Sequence, residues 1–135
     1  MTTAVFDTNI VVSGVLSPFG TPGRILDAIL DGFCRPAVSD AILEEYEDVL
    51  NRPKFRFSPT RIRLLLAALR SRAVYAPFAP FADAHALPDP DDAIFVEAAL
   101  GLQVPLVTGN RKHFPTHAVR GVSVLTPTAF LAQLA

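Results

Sequence analysis

Oxygen-bearing side chains directly follow two short apolar runs of this sequence. Asp7 comes after the run Thr3–Phe6, while Thr108 and Asn110 come after the run Val104–Val107. In an open α/β sheet the ligand lies beyond the carboxyl ends of the strands, where the strand order reverses. The two strand ends are therefore candidates for one shared site. An isolated aspartate at a strand end is equally well explained as a turn former, so Asp7 alone decides nothing.

A third group of acids lies on the helix predicted after Ser39, and helix geometry separates its members. The apolar stripe of that helix consists of Ile42, Leu43, Tyr46, Val49 and Leu50. At about 100° per residue, Glu44 and Asp48 point away from the stripe, as expected of a charged outer face. Glu45 and Glu47 lie on its two flanks, where either could reach a cleft beside the core. The spacing therefore indicates Glu45 and Glu47 as candidates for the site and does not distinguish between them.

The densest acidic signal is Asp89-Pro90-Asp91-Asp92, which opens another predicted helix. Capping explains part of it, because Asp89 suits the N-cap, Pro90 suits the first helical position, and acids favour the positive end of the helix dipole. However, three carboxylates this close repel one another, and a shared hard divalent cation relieves that repulsion. Asp92 is expected to face inward, since it lies within one turn of the apolar Phe95.

The types of these side chains indicate Mg²⁺ or Mn²⁺ rather than zinc or copper, because they offer oxygen without paired histidine or cysteine. The single cysteine, Cys34, excludes an internal disulfide and a cysteine-rich zinc site. We interpret the three histidines as surface or turn residues: His85, His113 and His117. The sequence contains no glycine-rich phosphate loop, nucleophile elbow or dinucleotide fingerprint. The remaining chemistry is that of a hard cation acting on phosphate esters.

Short β-rich runs alternate with helical stretches, which predicts a parallel sheet covered by helices on both faces. The predicted strands are residues 3–6, 33–38, 73–76, 104–107 and 122–125. The predicted helices are 21–31, 39–51, 58–69, 90–100 with a stop at Gly101, and 126–134. The proline-rich stretch 77–90 is predicted to be a rigid loop.

Composition predicts one compact domain, because the chain has 135 residues, half of them apolar, and a mean hydropathy of +0.35. No apolar run approaches the roughly 18 residues that cross a bilayer, and no basic segment precedes an N-terminal apolar stretch, so we expect no membrane association and a cytoplasmic location.

The net charge of −1 does not suggest bulk attraction to nucleic acid. Seven of the twelve basic residues nevertheless lie between Arg52 and Arg72, where they could grip phosphates or simply form a solvated face.

Four segments resemble, in order, the motifs of the PIN domain family. They are VFDTN around Asp7, EEYEDVLNRPKF around Glu45, DPDDAIFVEAA around Asp92 and LVTGNRKHF around Asn110. Each motif alone is loose, but four in series over nearly the whole chain are specific. The chain resembles in particular the VapC-like toxin components of toxin–antitoxin systems.

This resemblance implies an α/β fold, a three-layer sandwich around a five-stranded parallel sheet, formed by a single PIN-like nuclease domain over residues 1–135. It also implies that Asp7, Glu45 and Asp92 are the catalytic acids that hold Mg²⁺ or Mn²⁺. Among the two flanking acids of the helix, it favours Glu45 over Glu47.

The fourth metal position of the family is usually aspartate and is Asn110 here, with Thr108 nearby as a further oxygen. Asparagine keeps the oxygen and loses the charge, which would lower the affinity for a second ion. Asp89 or Asp91 could compensate in part. Asn9 and Ser13 are expected to orient the first carboxylate. The residues expected to clamp the RNA backbone are Arg52, Lys54 and Arg56.

The resemblance further implies an RNA substrate, a small antitoxin protein as partner, and a homodimer. The segment Val74–Phe81, with the leucine-rich helix before it, is a candidate contact surface, although both could simply complete the core. An alternative function is a catalytically weakened PIN-fold module that binds RNA or a protein. A phosphohydrolase acting through an aspartyl nucleophile ranks last, because it needs a second acid two residues after Asp7 and Asn9 stands there.

Overall fold

The computed structural model describes residues 2–119 and 121–134, and it contains one five-stranded sheet in the order β3-β2-β1-β4-β5. The strands are β1 Thr2–Phe6, β2 Cys34–Val38, β3 Val74–Tyr75, β4 Leu106–Val107 and β5 Val124–Leu125. The helices are α1 Thr8–Leu16, α2 Thr21–Leu30, α3 Asp40–Leu50, α4 Pro59–Arg72, α5 Ala93–Leu102 and α6 Pro127–Leu134. Every strand pair is parallel, and helices cover both faces of the sheet. The α/β fold predicted from the sequence is confirmed.

The order of the strands reverses at β1, because β2 and β3 lie on one side of it and β4 and β5 on the other. The register pairs Phe6 of β1 with Val107 of β4. The next residue of each strand, Asp7 and Thr108, therefore lies beside the other at the carboxyl edge of the sheet. This is the switch point at which α/β sheets place their ligands.

Three helix starts that the sequence predicted are confirmed by side-chain caps. Ser39, Ser58 and Thr126 each accept a hydrogen bond from a backbone N–H group three residues later, at 3.2, 3.4 and 3.1 Å respectively. Each cap satisfies one of the free amides of a first helical turn. The Ser39 cap fixes the start of α3 directly after β2, and so it fixes the position of Glu45.

The predicted stop at Gly101 is wrong, because α5 continues through this glycine to Leu102 and ends at Gln103, whose φ of 55° is left-handed. The reason for a glycine here is contact with another segment. A Cβ atom at position 101 would lie 2.5 Å from the carbonyl oxygen of Pro77. The glycine allows the proline-rich loop to pack directly on the helix.

The helix α1 was not anticipated from the sequence. Six of its nine residues are buried: Thr8, Ile10, Val11, Val12, Gly14 and Val15. A helix buried on most sides lacks the polar face that gives an amphipathic pattern, and its β-branched run is more typical of a strand. The proline-rich loop likewise contains a short 3₁₀ turn at Ala84–Ala86.

The core lies on both sides of β1. The Phe6 ring meets the Phe130 ring of α6 edge to face, with centroids 5.3 Å apart. On α3 the buried Tyr46 hydroxyl donates a hydrogen bond to the Phe6 carbonyl oxygen, which ties α3 to the carboxyl end of β1. Within the described ranges, none of the helices has the length and apolar character that crossing a bilayer needs.

Candidate metal centre

Asp7 is the most deeply placed acid of the sheet edge, with only 6% of the residue exposed. Its Oδ2 atom accepts a hydrogen bond of 2.8 Å from the hydroxyl of Thr108, which is fully buried. The same hydroxyl oxygen accepts a 3.0 Å hydrogen bond from the backbone N–H of Asn110. Thr108 therefore orients the carboxylate of Asp7 while it shapes the backbone that leads away from β4.

Burial raises the pKa of Asp7, and four contacts oppose that shift: the Thr108 hydroxyl, the backbone N–H groups of Thr8 and Asn9, and the nearby His113. Asp7 is the N-cap residue of α1, yet its side chain makes no capping hydrogen bond. The carboxylate therefore lies between the first turn of α1 and the end of β4, and its 2.8 Å hydrogen bond comes from the β4 side.

The neighbours expected to support Asp7 lie at different depths. Asn9 is half-buried and its Oδ1 atom accepts a 3.3 Å hydrogen bond from the backbone N–H of Gly109, which joins α1 to the loop after β4. Ser13 is exposed on α1. Its role in orienting Asp7 stays a prediction, since the side-chain hydrogen bond seen at Asp7 comes from Thr108.

The two flanking acids of α3 have different contacts. Glu45 is half-buried, and burial is the main cause that raises its pKa, followed by the negative charges of Asp48, Asp91 and Asp7. Glu47 is exposed on the other flank, where its carboxylate lies 3.6 Å from the Arg70 guanidinium of α4. Of the two acids, Glu45 is the one on the side of Asp7.

Asp92 ends a 3₁₀ turn, Pro90–Asp92, that leads into α5. The exposed Asp89 caps this turn by accepting a 3.0 Å hydrogen bond from the Asp91 N–H group. The Asp92 side chain is only 15% exposed, and burial, with the charges of Asp7 and Asp89, raises its pKa to about 6. Within the described part of the chain, its buried Oδ2 atom has no hydrogen-bond partner.

His113 lies in a turn and its side chain is 44% exposed, as the sequence predicted, but it also lies beside Asp92, which was not predicted. It ends the 3₁₀ turn Arg111–His113, and its Nδ1 atom lies 3.3 Å from Oδ2 of Asp92, a contact that lowers the pKa of that carboxyl. The other two histidines, His85 and His117, are exposed. One indication that His113 lies near the acids was available in the sequence. It follows the end of β4 by only a few residues, at the edge of the sheet where the acids lie.

Asn110 is half-buried and begins the same turn, and its backbone carbonyl accepts a 3.1 Å hydrogen bond from the His113 N–H group. Its backbone thus helps to position both Thr108 and His113. A metal-binding role for its side-chain oxygen stays a prediction.

Three carboxylates from three separate segments therefore interact at one edge of the sheet: Asp7, Glu45 and Asp92. In residues 2–119 and 121–134, however, no three His, Cys, Asp or Glu side chains are close enough to form a coordination sphere as they stand. The donors fit a hard divalent cation, because they are carboxylate oxygens that repel one another and one buried oxygen lacks a partner. The longest and most exposed of the three, Glu45, has the most rotational freedom to adjust.

The basic residues expected to contact RNA are exposed. Arg52 lies closest to the acids: it is 3.5 Å from Asp48 and its charge lowers the pKa of Glu45. Lys54 lies over the ring of Phe55, with its Nζ atom 5.1 Å from the ring centroid. Arg56 directly follows the short 3₁₀ turn Pro53–Phe55, which contains Lys54, and its φ of 55° is left-handed.

Residues 3–112 match the family model of the PIN domain, and the chain belongs to the PIN domain family. Members of this family are nucleases, and they generally use divalent metal ions. An uncharacterized protein from Methanocaldococcus jannaschii is 31% identical over 110 residues, which cover 79% of this chain and 70% of that protein. The resemblance inferred from the four motifs is confirmed.

A solved structure has the same fold. The crystal structure of VapBC2 from Rickettsia felis, bound to a DNA fragment from their promoter, contains a chain that matches with a TM-score of 0.61. The match covers 92% of this chain and 98% of that chain, at 15% sequence identity. This similarity establishes the VapC-like fold.

Proposed function

We propose that this PIN-domain protein is a divalent-metal-dependent ribonuclease that hydrolyses RNA phosphodiester bonds. One observation carries the proposal: Asp7 lies at the switch point of the sheet, and burial, together with the charge of Asp7, raises the pKa of both Glu45 and Asp92. A divalent cation is the simplest partner that would stabilise all three ionised carboxylates together.

In this proposal, Asp7, Glu45 and Asp92 hold Mg²⁺ or Mn²⁺, with Asn110 or Thr108 beside them. The ion would supply Lewis acidity, which acidifies water and neutralises charge that develops on the phosphate. The hydroxyl of Thr108 keeps Asp7 turned towards the site, and the capped turn that starts at Asp89 holds Asp92 there. These residues position the donors, so the chain needs no covalent nucleophile.

The distribution of charge around the acids supports a polyanionic substrate. On one side, Arg52 lies near Glu45, and Lys54 and Arg56 follow in the same exposed turn. On the other side, the exposed Arg111 and Lys112 directly precede His113. An RNA strand that places one phosphate at the acids could contact cations on both sides, which would position its backbone without reading its sequence.

The test is cleavage of single-stranded RNA in Mn²⁺ by Asp7→Asn and Asp92→Asn. Each substitution keeps the shape of the side chain and removes its charge, so we expect at least about a 100-fold loss of rate. Glu44→Gln is the matched control, because Glu44 is an exposed acid of the same helix as Glu45 that points away from the site, and its activity should equal that of the wild type. Undiminished cleavage by the pure Asp7 and Asp92 variants would exclude this assignment.

The alternative is a PIN-fold module with little catalytic power that binds RNA or a protein. It is favoured by Asn110 at a position where the family usually has aspartate, and by the absence of a preformed coordination sphere in the described residues. Calorimetric titration separates the two functions, because a weakened site would bind neither Mn²⁺ nor Mg²⁺ at millimolar concentration.

We further propose that the chain is the cytoplasmic toxin of a toxin–antitoxin pair, with a small antitoxin and a second copy of itself as partners. The similarity to a VapBC2 chain supports this assembly, and so do exposed apolar side chains on the surface predicted for contacts. Phe78 is 84% exposed and Tyr75 is half exposed, and on α4 Leu64 is exposed while Leu66 and Leu69 are buried. Light scattering of the purified chain, alone and with the candidate antitoxin, measures both associations.

A further inference from the structure

An open cavity of about 260 Å³ lies between the start of α3, one side of α5 and the segment that follows β3. Its lining contains two carboxylates, those of Asp40 and Glu97, and none of the described residues that line it is basic. It also contains two aromatic rings that are open to solvent, because Tyr75 is 52% exposed and Phe78 is 84% exposed. This cavity, the acidic cleft, therefore combines negative charge with flat apolar faces.

Glu97 is the side chain of the acidic cleft that most needs a partner. It is half-buried and is the only charged residue of α5, and none of the ion pairs among the described residues involves it. A carboxylate that is partly removed from water loses solvation energy, which a cation restores. Asp40 differs, because it lies in the first turn of α3, where the helix dipole favours negative charge. Glu97 lies in the middle of its helix and has no such compensation.

The side chain of arginine or lysine has the chemistry that the acidic cleft lacks. Its charged group can pair with a carboxylate and lie against an aromatic face, and its aliphatic stem can contact apolar residues such as Ile94. An RNA phosphate fits poorly, because Asp40 and Glu97 would both repel it. A nucleobase could stack on the rings of Tyr75 and Phe78, but its own phosphates would then lie near the same two acids. Charge complementarity therefore favours a basic side chain.

We propose that the acidic cleft binds an arginine or lysine side chain of the antitoxin, with Glu97 as the main counter-ion and the rings of Tyr75 and Phe78 beside it. The inference rests on the proposed function, which includes an antitoxin as partner, and it names the contact that anchors that partner. Both rings belong to the segment Val74–Phe81, so the acidic cleft is continuous with the surface proposed above for contacts.

The position of the acidic cleft gives the contact a consequence for activity. Glu97 follows Asp92 by five residues along α5, and Asp40 precedes Glu45 by five residues along α3. A protein segment bound in the cleft would therefore contact the same two helices that position these acids. It would lie next to the path of an RNA strand and hinder its access to them.

The first experiment is an NMR titration of the full chain in EDTA with the blocked peptide acetyl-Gly-Arg-Gly-amide. We expect the signals of the Phe78 ring and the Glu97 amide to shift, with an affinity at least about fivefold lower in Glu97→Gln and Phe78→Ala. The same peptide with glutamine in place of arginine should not bind. Glu44→Gln is the matched control, because Glu44 is an exposed acid of α3 that does not line the acidic cleft. Glu97 has no ion pair to lose, so Glu97→Gln should unfold at the wild-type temperature.

Two other binding modes have different signatures in this titration. The peptide could bind instead to the acids of the candidate metal centre, in which case Asp7→Asn would abolish binding and Glu97→Gln would not. Adenosine is the probe for a nucleobase, and a Phe78 ring that shifts with adenosine but not with the arginine peptide would identify a base-binding cleft. Either result would overturn the inference.

The second experiment measures the affinity of the candidate antitoxin by calorimetry and the oligomeric state by light scattering. We expect the affinity to fall at least about tenfold in Glu97→Gln, while the variant alone keeps the oligomeric state of the wild type. If Glu97→Gln alone lost self-association, a second copy of the chain would be the occupant and the inference would be wrong. Equal affinity of the wild type and Glu97→Gln for the antitoxin would overturn the inference and leave the proposed assembly standing. A wild-type chain that binds no antitoxin would overturn both.

Discussion

At the scale of single residues, the site depends on one hydroxyl group with two partners. Thr108 has one proton to donate, which goes to Asp7, and its oxygen accepts from the Asn110 N–H group. Because Thr108 is fully buried, water cannot replace either hydrogen bond. The orientation of the carboxylate and the path of the backbone towards His113 therefore depend on the same atom.

Replacing Thr108 with valine tests this dependence, because valine keeps the shape and removes the hydroxyl. The change leaves a buried carboxylate and a backbone N–H group short of one hydrogen bond each, so the free energy of unfolding should fall by about 1–3 kcal/mol. RNA cleavage should fall with it. Thr108→Ser retains the hydroxyl and should recover most of the lost activity. Urea denaturation and the cleavage rate measure both effects, and a valine variant with wild-type stability would show that neither hydrogen bond matters.

At the scale of elements, the candidate site is assembled by three helices that follow strands or turns. Asp7 and Asp92 are the N-cap residues of α1 and α5, whereas Glu45 lies in the middle of α3, which begins directly after β2. The position of α5 depends on its contacts with β1, β2 and the proline-rich loop, which touches the helix at Gly101. A change at this distant end of α5 tests whether helix propensity or packing governs the element.

The substitution Gly101→Ala distinguishes the effect of helix propensity from that of packing. Helix propensity alone predicts a gain of up to about 1 kcal/mol, because alanine is the better helix former. The structure predicts a loss of about 1–3 kcal/mol, since the new Cβ atom would lie 2.5 Å from the Pro77 carbonyl oxygen and the loop or the helix must move. Gly109→Ala is the control, because its added methyl would meet Asn9 at an ordinary 3.6 Å. Thermal unfolding in EDTA shows whether the free energy of unfolding rises or falls. A Gly101→Ala variant that is more stable than the wild type would refute the packing argument.

At the scale of the whole molecule, the sequence predicts two features: the fold class, from the alternation of strands and helices, and the edge of the sheet at which residues that follow strands lie. Strands and helices in turn imply a parallel sheet, and a parallel sheet brings the ends of β1 and β4 to one edge, so the pattern alone places Asp7 and Thr108 at the same edge. Their direct contact depends on the order of the strands, which the pattern does not encode. The helix α1 could not be predicted in this way, because it is buried on most sides and has no polar face.

For the candidate acids, too, the sequence identifies only a part, and tertiary contacts identify the rest. Periodicity narrows the acids of α3 to Glu45 and Glu47, but only tertiary contact separates them, since Glu47 meets Arg70 on a helix remote in sequence. His113 was missed for the same reason. Its contact with Asp92 joins two turns that lie about twenty residues apart, and no local spacing encodes that distance.

The gathered carboxylates give the whole protein a distinctive dependence of stability on pH. The folded state raises the pKa of Asp92 from 3.8 to about 6, mainly through burial, and it also raises the pKa of Asp7 and Glu45. Between these values the folded state binds more protons at Asp92 than the unfolded state, so the part of the stability that Asp92 contributes falls as pH rises from about 4 to 6. The contribution of Asp92 is on the order of 1–3 kcal/mol.

Denaturation of the wild type and of Asp92→Asn in EDTA, from pH 4 to pH 8, isolates this contribution. The variant has no proton to lose at position 92, so it should be the more stable protein above pH 6 and should lose that advantage near pH 4. Asp31→Asn, at an exposed acid outside the site, should follow the wild-type curve. Adding Mn²⁺ should reverse the order at pH 7.5, because an ion that binds the ionised carboxylates stabilises only the protein that keeps them. If the wild type were the more stable protein at pH 7.5 in EDTA, burial and the charge of Asp7 would not be disfavouring the ionised Asp92, and the main reason for placing a cation beside these acids would be lost.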